Sequence, residues 1–316
     1  MKALVTGGGG FIGSNLVRAL LARGDEVSVL DNFSTGSRAN LAGLEHDVQL
    51  VEGDLRSYER VHAAIRGVEV VFHQGALPSV PRSVQDPLTT TAVNIEGTLN
   101  VLLAARDESV RRIVNASSSS VYGNTGTLPR VETQAPDPIS PYAVAKLAAE
   151  RFCTSFSRVY GMEIVSLRYF NVFGPRQDPT SQYAAVVPRF IRAIADGEPV
   201  TIYGDGEQSR DFTYIDNVVD ANLKAAEAAQ GIGQVINIAN GERISLNQLL
   251  SELISLTGKT GVVADYQEPR AGDVRHSLAD ITQARTLLGY EPRVNLRDGL
   301  ELTIDWWQNS RFAKKK

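Results

Sequence analysis

Tyr142 and Lys146 stand four residues apart at the start of a stretch with helical spacing, directly after Pro141. That spacing puts both side chains on one helix face. An ammonium beside a phenol favours the phenolate and lowers the phenol pKa. Such a tyrosine can take a proton from an alcohol near neutral pH. With 10 Tyr and 7 Lys in 316 residues, about 0.2 such pairs are expected by chance, so the pair alone decides nothing. Its company carries more. Ser117-Ser118-Ser119-Ser120 ends the fifth strand-like run, and strand C-terminal ends form the ligand crevice of an open parallel sheet. Serines there can hold hydroxyls; elsewhere such a run is a plain loop.

A second constellation lies at the N-terminus. Thr6-Gly7-Gly8-Gly9-Gly10-Phe11-Ile12-Gly13 follows an apolar run and opens a helical one. Gly7 and Gly10 suit a turn that side chains disfavour, at a helix N-terminus whose bare N–H groups attract phosphate. Gly13 lets helix and strand pack closely. Asp31 closes the second strand-like run, where a carboxylate accepts from both hydroxyls of an adenosine ribose and repels a 2′-phosphate. Together they point to a dinucleotide, with NAD favoured over NADP. The plainer reading of Asp31 is the start of a turn with Asn32. Asp54-Leu55, after the third strand, could meet the adenine or simply turn the chain.

These residues need a scaffold. Lys2–Thr6, Glu26–Leu30, Val48–Val51, Glu69–His73, Arg111–Ala116 and Glu163–Leu167 read as buried strands. Phe11–Arg23, Tyr58–Ile65, Asn94–Asp107 and Tyr142–Tyr160 have helical spacing between them. Strands alternating with helices predict an α/β fold, a doubly wound parallel sheet with helices on both faces. After about Tyr169 the texture changes, with loop signals at Gly174-Pro175 and Asp178-Pro179. This predicts a smaller C-terminal α/β lobe interleaved with the first. The expected division is 1–168, with a return at about 213–240 through Ile215–Ala229 and Val235–Ile238, against 169–212 and 241–316.

Composition bounds the function classes. The chain is 43% hydrophobic and 22% charged, which supports a large core and excludes a disordered or collagen-like chain. A net charge of −4 argues against nucleic acid or an anionic membrane as partner. Cys153 is the single cysteine and cannot form an internal disulfide, which fits a reducing cytosol and a cytoplasmic location. No run approaches the ~20 apolar residues of a membrane span, and the terminal Lys314–Lys316 reads as a solvated tail. No metal ligands are expected.

Gly7–Gly13, Ser117 through Tyr122-Gly123, Ser140-Pro141-Tyr142 with Lys146, and Arg168-Tyr169-Phe170-Asn171-Val172-Phe173-Gly174-Pro175 resemble the extended short-chain dehydrogenase/reductase family, whose dinucleotide domain is a Rossmann sheet. Within it the chain is similar to the UDP-sugar 4-epimerases, over nearly its whole length. Ser79-Val80-Pro81-Arg82-Ser83 and Asn171–Pro179 look like the subgroup acting on UDP-N-acetylglucosamine.

The resemblance implies roles residue by residue. Tyr142 is the base for the sugar O4 hydroxyl, Lys146 binds the nicotinamide ribose and tunes Tyr142, and Ser118 is the catalytic hydroxyl residue. Gly7, Gly10, Phe11, Ile12, Gly13, Asp31, Asn32, Asp54, Leu55, Asn94 and Tyr169 meet NAD. Ser119, Ser120, Arg82, Asn171 and Val187 meet the substrate, Arg210 and Arg270 clamp its diphosphate, and Asp273 accepts from the uridine ribose. Guanidinium forks suit phosphate oxygens, although a lone arginine is commonly a surface ion-pair partner. Ser277 borders the sugar 2-substituent and leaves room for an N-acetyl group, unless it is a plain loop serine. Gln74-Gly75-Ala76 and Asn15 depart from the residues common in relatives.

The implied reaction is C4 epimerisation of a UDP-hexose. It runs by transient oxidation to a 4-keto sugar, rotation about the anchored diphosphate, and hydride return. A UDP-glucuronate 4-epimerase, or a nucleotide-sugar reductase or dehydratase, remains the alternative. Ser119-Ser120 stand where the family's dehydratases carry an Asp-Glu pair, which disfavours that last branch. A dinucleotide sensor that kept only the fold is disfavoured by Tyr142, Lys146 and Ser118 occurring together. The resemblance also implies a homodimer through a four-helix bundle of Asn94–Asp107 and Tyr142–Tyr160, with Leu99, Leu102, Leu103, Phe152 and Phe156 to spare; equally, these residues could only cover the sheet.

Overall fold

A computed structural model describes residues 1–124, 127–180, 184–269 and 274–310. The first half forms six parallel strands: β1 (Lys2–Thr6), β2 (Glu26–Asp31), β3 (Val48–Glu52), β4 (Val70–His73), β5 (Arg112–Ser118) and β6 (Glu163–Tyr169). A seventh strand, Val235–Ile238, comes from late in the chain and pairs with β6. The sheet order is Val235–Ile238, β6, β5, β4, β1, β2, β3, every pairing parallel. This is the doubly wound α/β sheet that the alternating pattern predicts.

Six helices of the first half are α1 (Phe11–Ala22), α2 (Tyr58–Ile65), α3 (Val80–Gln85), α4 (Pro87–Thr91), α5 (Gly97–Asp107) and α6 (Pro141–Tyr160). Alternation along β1 sends Ala3 and Val5 to one face of the sheet and Leu4 to the other, and each face has its own core. Both faces are covered, as a parallel sheet requires. Each fully buried Val or Leu contributes about 1.5–3 kcal/mol.

Two local departures matter for the site. β5 and β6 run two residues beyond the apolar spacing, because Ser117 pairs with Arg168 and Ser118 with Tyr169. Ser117 and Ser118 therefore sit on a strand. The helix expected over Asn94–Asp107 begins instead as a π-helical turn, Ala92–Glu96, before α5. The wider turn carries Asn94 toward Leu77, which it holds through two hydrogen bonds.

The apolar residues expected to be spare on α5 and α6 are engaged within the chain. Leu102 and Phe156 are buried, and Leu99, Leu103 and Phe152 pack on the same core. They cover the sheet because α2, α5 and α6 share that face.

Later segments build short two-stranded sheets, Val172–Phe173 with Thr213–Tyr214, Ser209–Arg210 with Ile244–Ser245, and Val200–Tyr203 with Ala264–Gln267. Helices Val186–Asp196, Ile215–Glu227, Leu246–Thr257, Thr282–Leu288 and Leu296–Gln308 accompany them. Among the described residues no helix is long and apolar enough to cross a membrane.

Candidate active site

The strand order reverses between β1 and β4, and the crevice of an open sheet opens at such a switch point. Here it is a cavity of about 890 Å³, lined from one side by the ends of β1, β2, β4, β5 and β6 and from the other by later segments.

The floor is the glycine turn. Gly7 has φ +70°, and a Cβ there would lie 2.7 Å from Gly75 Cα. A Cβ on Gly13 would lie 2.1 Å from the Gly7 carbonyl oxygen. Nothing larger than glycine fits either position. Gly10 precedes α1 with no side-chain cap, and Phe11, Ile12 and Gly13 line the cavity. The first-turn amides are thus placed for an anion.

Beside the turn lies Asp31. Its Oδ2 accepts from Gly9 N at 2.8 Å and its Oδ1 from Phe33 N at 2.7 Å. Burial raises its pKa, and these amides oppose the rise. Each oxygen retains a lone pair for a ribose hydroxyl. Asn32 donates to Asp54 at 2.9 Å, and Arg56 binds Asp54 with two nitrogens, holding that carboxyl down at about 2. Leu55 nests against Gly75 and Gly97, where Cβ atoms would come within 2.8 Å of it. A bare backbone turn with an acid beside it and an apolar slot beyond fits an adenine dinucleotide.

Opposite, α6 presents its reactive face. Ser140 caps it by accepting from Ala143 N at 3.2 Å, and Pro141 occupies the first turn, where a missing N–H is harmless. Tyr142 faces Ser118, the side chain that favours its ionised form, and the Ser118 Oγ accepts from Ser120 N at 3.2 Å and Ser120 Oγ at 2.9 Å. Lys146 Nζ donates to the Ala116 carbonyl at 2.8 Å. The expected depression of the phenol by Lys146 is not found. Burial raises Tyr142, and Ser118 is the group that opposes it. The same burial pulls Lys146 down to about 8. In this pocket desolvation sets the direction for both groups.

Ser119, Ser120, Tyr169, Arg82, Asn171, Val187, Arg210 and Ser277 also line the cavity. Tyr169 donates to Asn222 at 3.0 Å. Asn171 donates to the Asp211 carbonyl at 3.2 Å and lies 3.5 Å from Ser277 Oγ. Arg210 donates to the carbonyls of Ser209 and Arg275 at 3.0 Å. Arg270 and Asp273 lie outside the described residues. Asn94 is not on the wall. Its amide group is engaged with Leu77, so it stands behind the lining as a support. Asn15 donates to the Pro175 carbonyl at 3.1 Å, tying α1 to a later loop.

Sequence reasoning missed Ser34, Thr35, Gly36, Arg189, Tyr203 and His276, all on the wall. Arg189 lay two residues past Val187 on one helical turn, which could have flagged it. Tyr203 and His276 carried no local signal. Arg189 lies over the Tyr203 ring at 5.4 Å, and His276 Nδ1 is 2.9 Å from Ser209 Oγ.

The chain is similar to known proteins along almost all of its length. It is 38% identical to the UDP-glucose 4-epimerase of Mycolicibacterium smegmatis over 318 residues, covering 98% of this chain and 99% of that one. A UDP-glucose 4-epimerase of Thermotoga maritima, solved with UDP-glucose, superposes with TM-score 0.93 at 40% identity, covering 98% and 99% of the two chains. The UDP-N-acetylglucosamine 4-epimerase of Methanobrevibacter ruminantium, solved with UDP-N-acetylmuramic acid, gives TM-score 0.93 at 38% identity and 98% of each chain. The family described as NAD dependent epimerase/dehydratase matches residues 3–239. A match from the first strand of the sheet to its last, with a relative aligned end to end, makes the chain a member of the NAD dependent epimerase/dehydratase family.

Proposed function

We propose that the protein inverts C4 of UDP-hexoses, interconverting UDP-glucose with UDP-galactose and UDP-N-acetylglucosamine with UDP-N-acetylgalactosamine. The observation that carries the reading is the meeting of Tyr142 and Ser118, with Lys146 one turn on, in the same cavity as the glycine cradle.

Tyr142 takes the O4 proton, with Ser118 in the hydrogen-bond path. Lys146 supports Tyr142 and the nicotinamide ribose, and Asp31 holds the adenosine ribose. NAD, held by Gly7–Gly13, Asp31, Asn32, Asp54 and Leu55, supplies the hydride acceptor and donor at C4. Ser119 and Ser120 hold sugar hydroxyls, and Arg82, Asn171 and Val187 flank the substrate. Arg210, with Arg270, anchors the diphosphate while the sugar turns over, so reorientation needs no release. Asp273 would hold the uridine ribose. Ser277 leaves space at the sugar 2-substituent; the similarity to an enzyme named for UDP-N-acetylglucosamine supports that breadth.

In the same reading, residues 1–168 with 213–240 hold the dinucleotide, and 169–212 with 241–316 hold the nucleotide sugar. The enzyme acts as a cytoplasmic homodimer through α5 and α6. The exposed Val144, Val159 and Tyr160 on α6 support the pairing.

The test is incubation of the protein with UDP-glucose, UDP-N-acetylglucosamine and UDP-glucuronate, without added NAD. Expected are the C4 epimers of the first two, with deuterium at C4 retained. Washout of that deuterium, or net consumption of nicotinamide, would contradict the mechanism. Turnover of UDP-glucuronate alone would move the substrate to the acid sugar.

A further inference from the structure

Two successive residues of β5 are each bound by one residue of α6, Ala116 by Lys146 and Ser117 by Glu150, and the next, Ser118, faces Tyr142. Glu150 lies one turn beyond Lys146 and is 1% exposed. Its Oε1 accepts from Ser117 Oγ and from Arg168 Nε at 2.8 Å, and its Oε2 accepts from Arg168 Nη2 at 2.8 Å. Arg168 in turn lies over the Tyr122 ring at 4.6 Å.

Resting on the proposed reaction, we propose that Glu150 is a positioning residue for it: held by Arg168 and Ser117, it sets the register of α6 on β5 and keeps the Lys146 ammonium charged inside the core. A buried ion pair is weak evidence for stability alone, since apolar residues often serve as well. A carboxylate one turn from a buried ammonium supplies what an apolar residue cannot.

The groups around Lys146 are few. On α6 they are Tyr142, Glu150 and Cys153; Cys153 is a neutral thiol, pushed up to about 12 by burial, so Glu150 is the charged group that favours the ammonium. From β4 comes His73, hydrogen-bonded between Thr6 and Thr98 and kept neutral by burial. From β6 come Arg168, through Glu150, and Tyr169; Tyr122 follows β5. On the packed helices, Arg82 of α3 lines the cavity, and Arg106 and Asp107 of α5 are engaged with Tyr160 and Tyr58.

The experiment is Glu150→Gln in the NAD-loaded enzyme. Lys146 is titrated by NMR of side-chain-labelled lysine, and kcat and KM for UDP-glucose are followed with pH. The lysine titration should move down by about one unit. The ratio of variant to wild-type kcat should then fall from near unity at pH 6.5 to about one-tenth at pH 9, with KM unchanged. A folded variant with the wild-type lysine titration overturns the proposal, even if it melts earlier. Should Glu150→Gln fail to fold, Ser117→Ala is expected to lower kcat about fivefold at constant KM, from one lost hydrogen bond, with Ser117→Thr restoring it. A Ser117→Ala enzyme equal to wild type overturns the register. The titration needs no turnover, so an inactive wild type would sink the proposed reaction and leave this test standing.

Discussion

Asn94 holds Leu77 by both of its backbone groups: Leu77 N donates to Asn94 Oδ1 at 2.7 Å, and Asn94 Nδ2 donates to the Leu77 carbonyl at 3.1 Å. Leu77 belongs to the cavity wall after β4, so the grip fixes that wall from behind. Asn94→Ala strands two buried backbone groups, at about 1–3 kcal/mol each. The expected result is a Tm lower by several degrees and faster loss of bound NAD, read by thermal melts and by NAD released on gel filtration. Unchanged NAD retention would mean that the wall does not depend on this contact.

Tyr142→Phe removes the proton acceptor and leaves the ring. We expect kcat to fall ~10²–10⁴-fold, the range for a lost general base, with KM and Tm little changed. Steady-state assay with UDP-glucose measures it, and near wild-type turnover would retire Tyr142 from the chemistry.

Gly13→Ala should abolish cofactor retention, since the new Cβ would sit 2.1 Å from the Gly7 carbonyl oxygen and force the turn open. Purified variant is expected to show no nicotinamide nucleotide on extraction.

Lys146 links stability to pH. Its folded pKa is lowered to about 8, while a free lysine titrates near 10.5. Between those values the unfolded chain binds more protons, so this group's contribution to stability rises with pH across the window. Below pH 8 both states carry the charge and its burial is penalised in full. Lys146→Met should therefore be more stable than wild type near pH 7.5, with the gap closing by about 2 kcal/mol by pH 10. Urea midpoints at several pH values check this, and a gap constant with pH would mean the ammonium is not desolvated.

What was legible in the sequence was what short range dictates. The Gly7–Gly13 turn, Asp31 at a strand end, and the four-residue spacing of Tyr142 and Lys146 are local patterns, and each lies on the cavity wall. Apolar runs located every strand of the main sheet. They ended early at β5 and β6, since Ser117 and Ser118 are polar residues held in the sheet by pairing with Arg168 and Tyr169. The resemblance sets Asn94 near the cofactor, and its grip on Leu77, 17 residues away, is a contact that only the folded chain shows. The phenol's direction was misread for a related reason: spacing reveals a neighbouring charge but not how much water a pocket excludes. His276 and Tyr203 reach the wall through strand pairings late in the chain that no periodicity announces.

The strand Val235–Ile238 lies beside β6, although 65 residues separate the end of one from the start of the other. The segment between them leaves the sheet, builds part of the opposite wall and comes back. A single cut by a protease in that excursion would therefore yield two pieces that remain clasped through a shared strand edge, and they should migrate together until denatured.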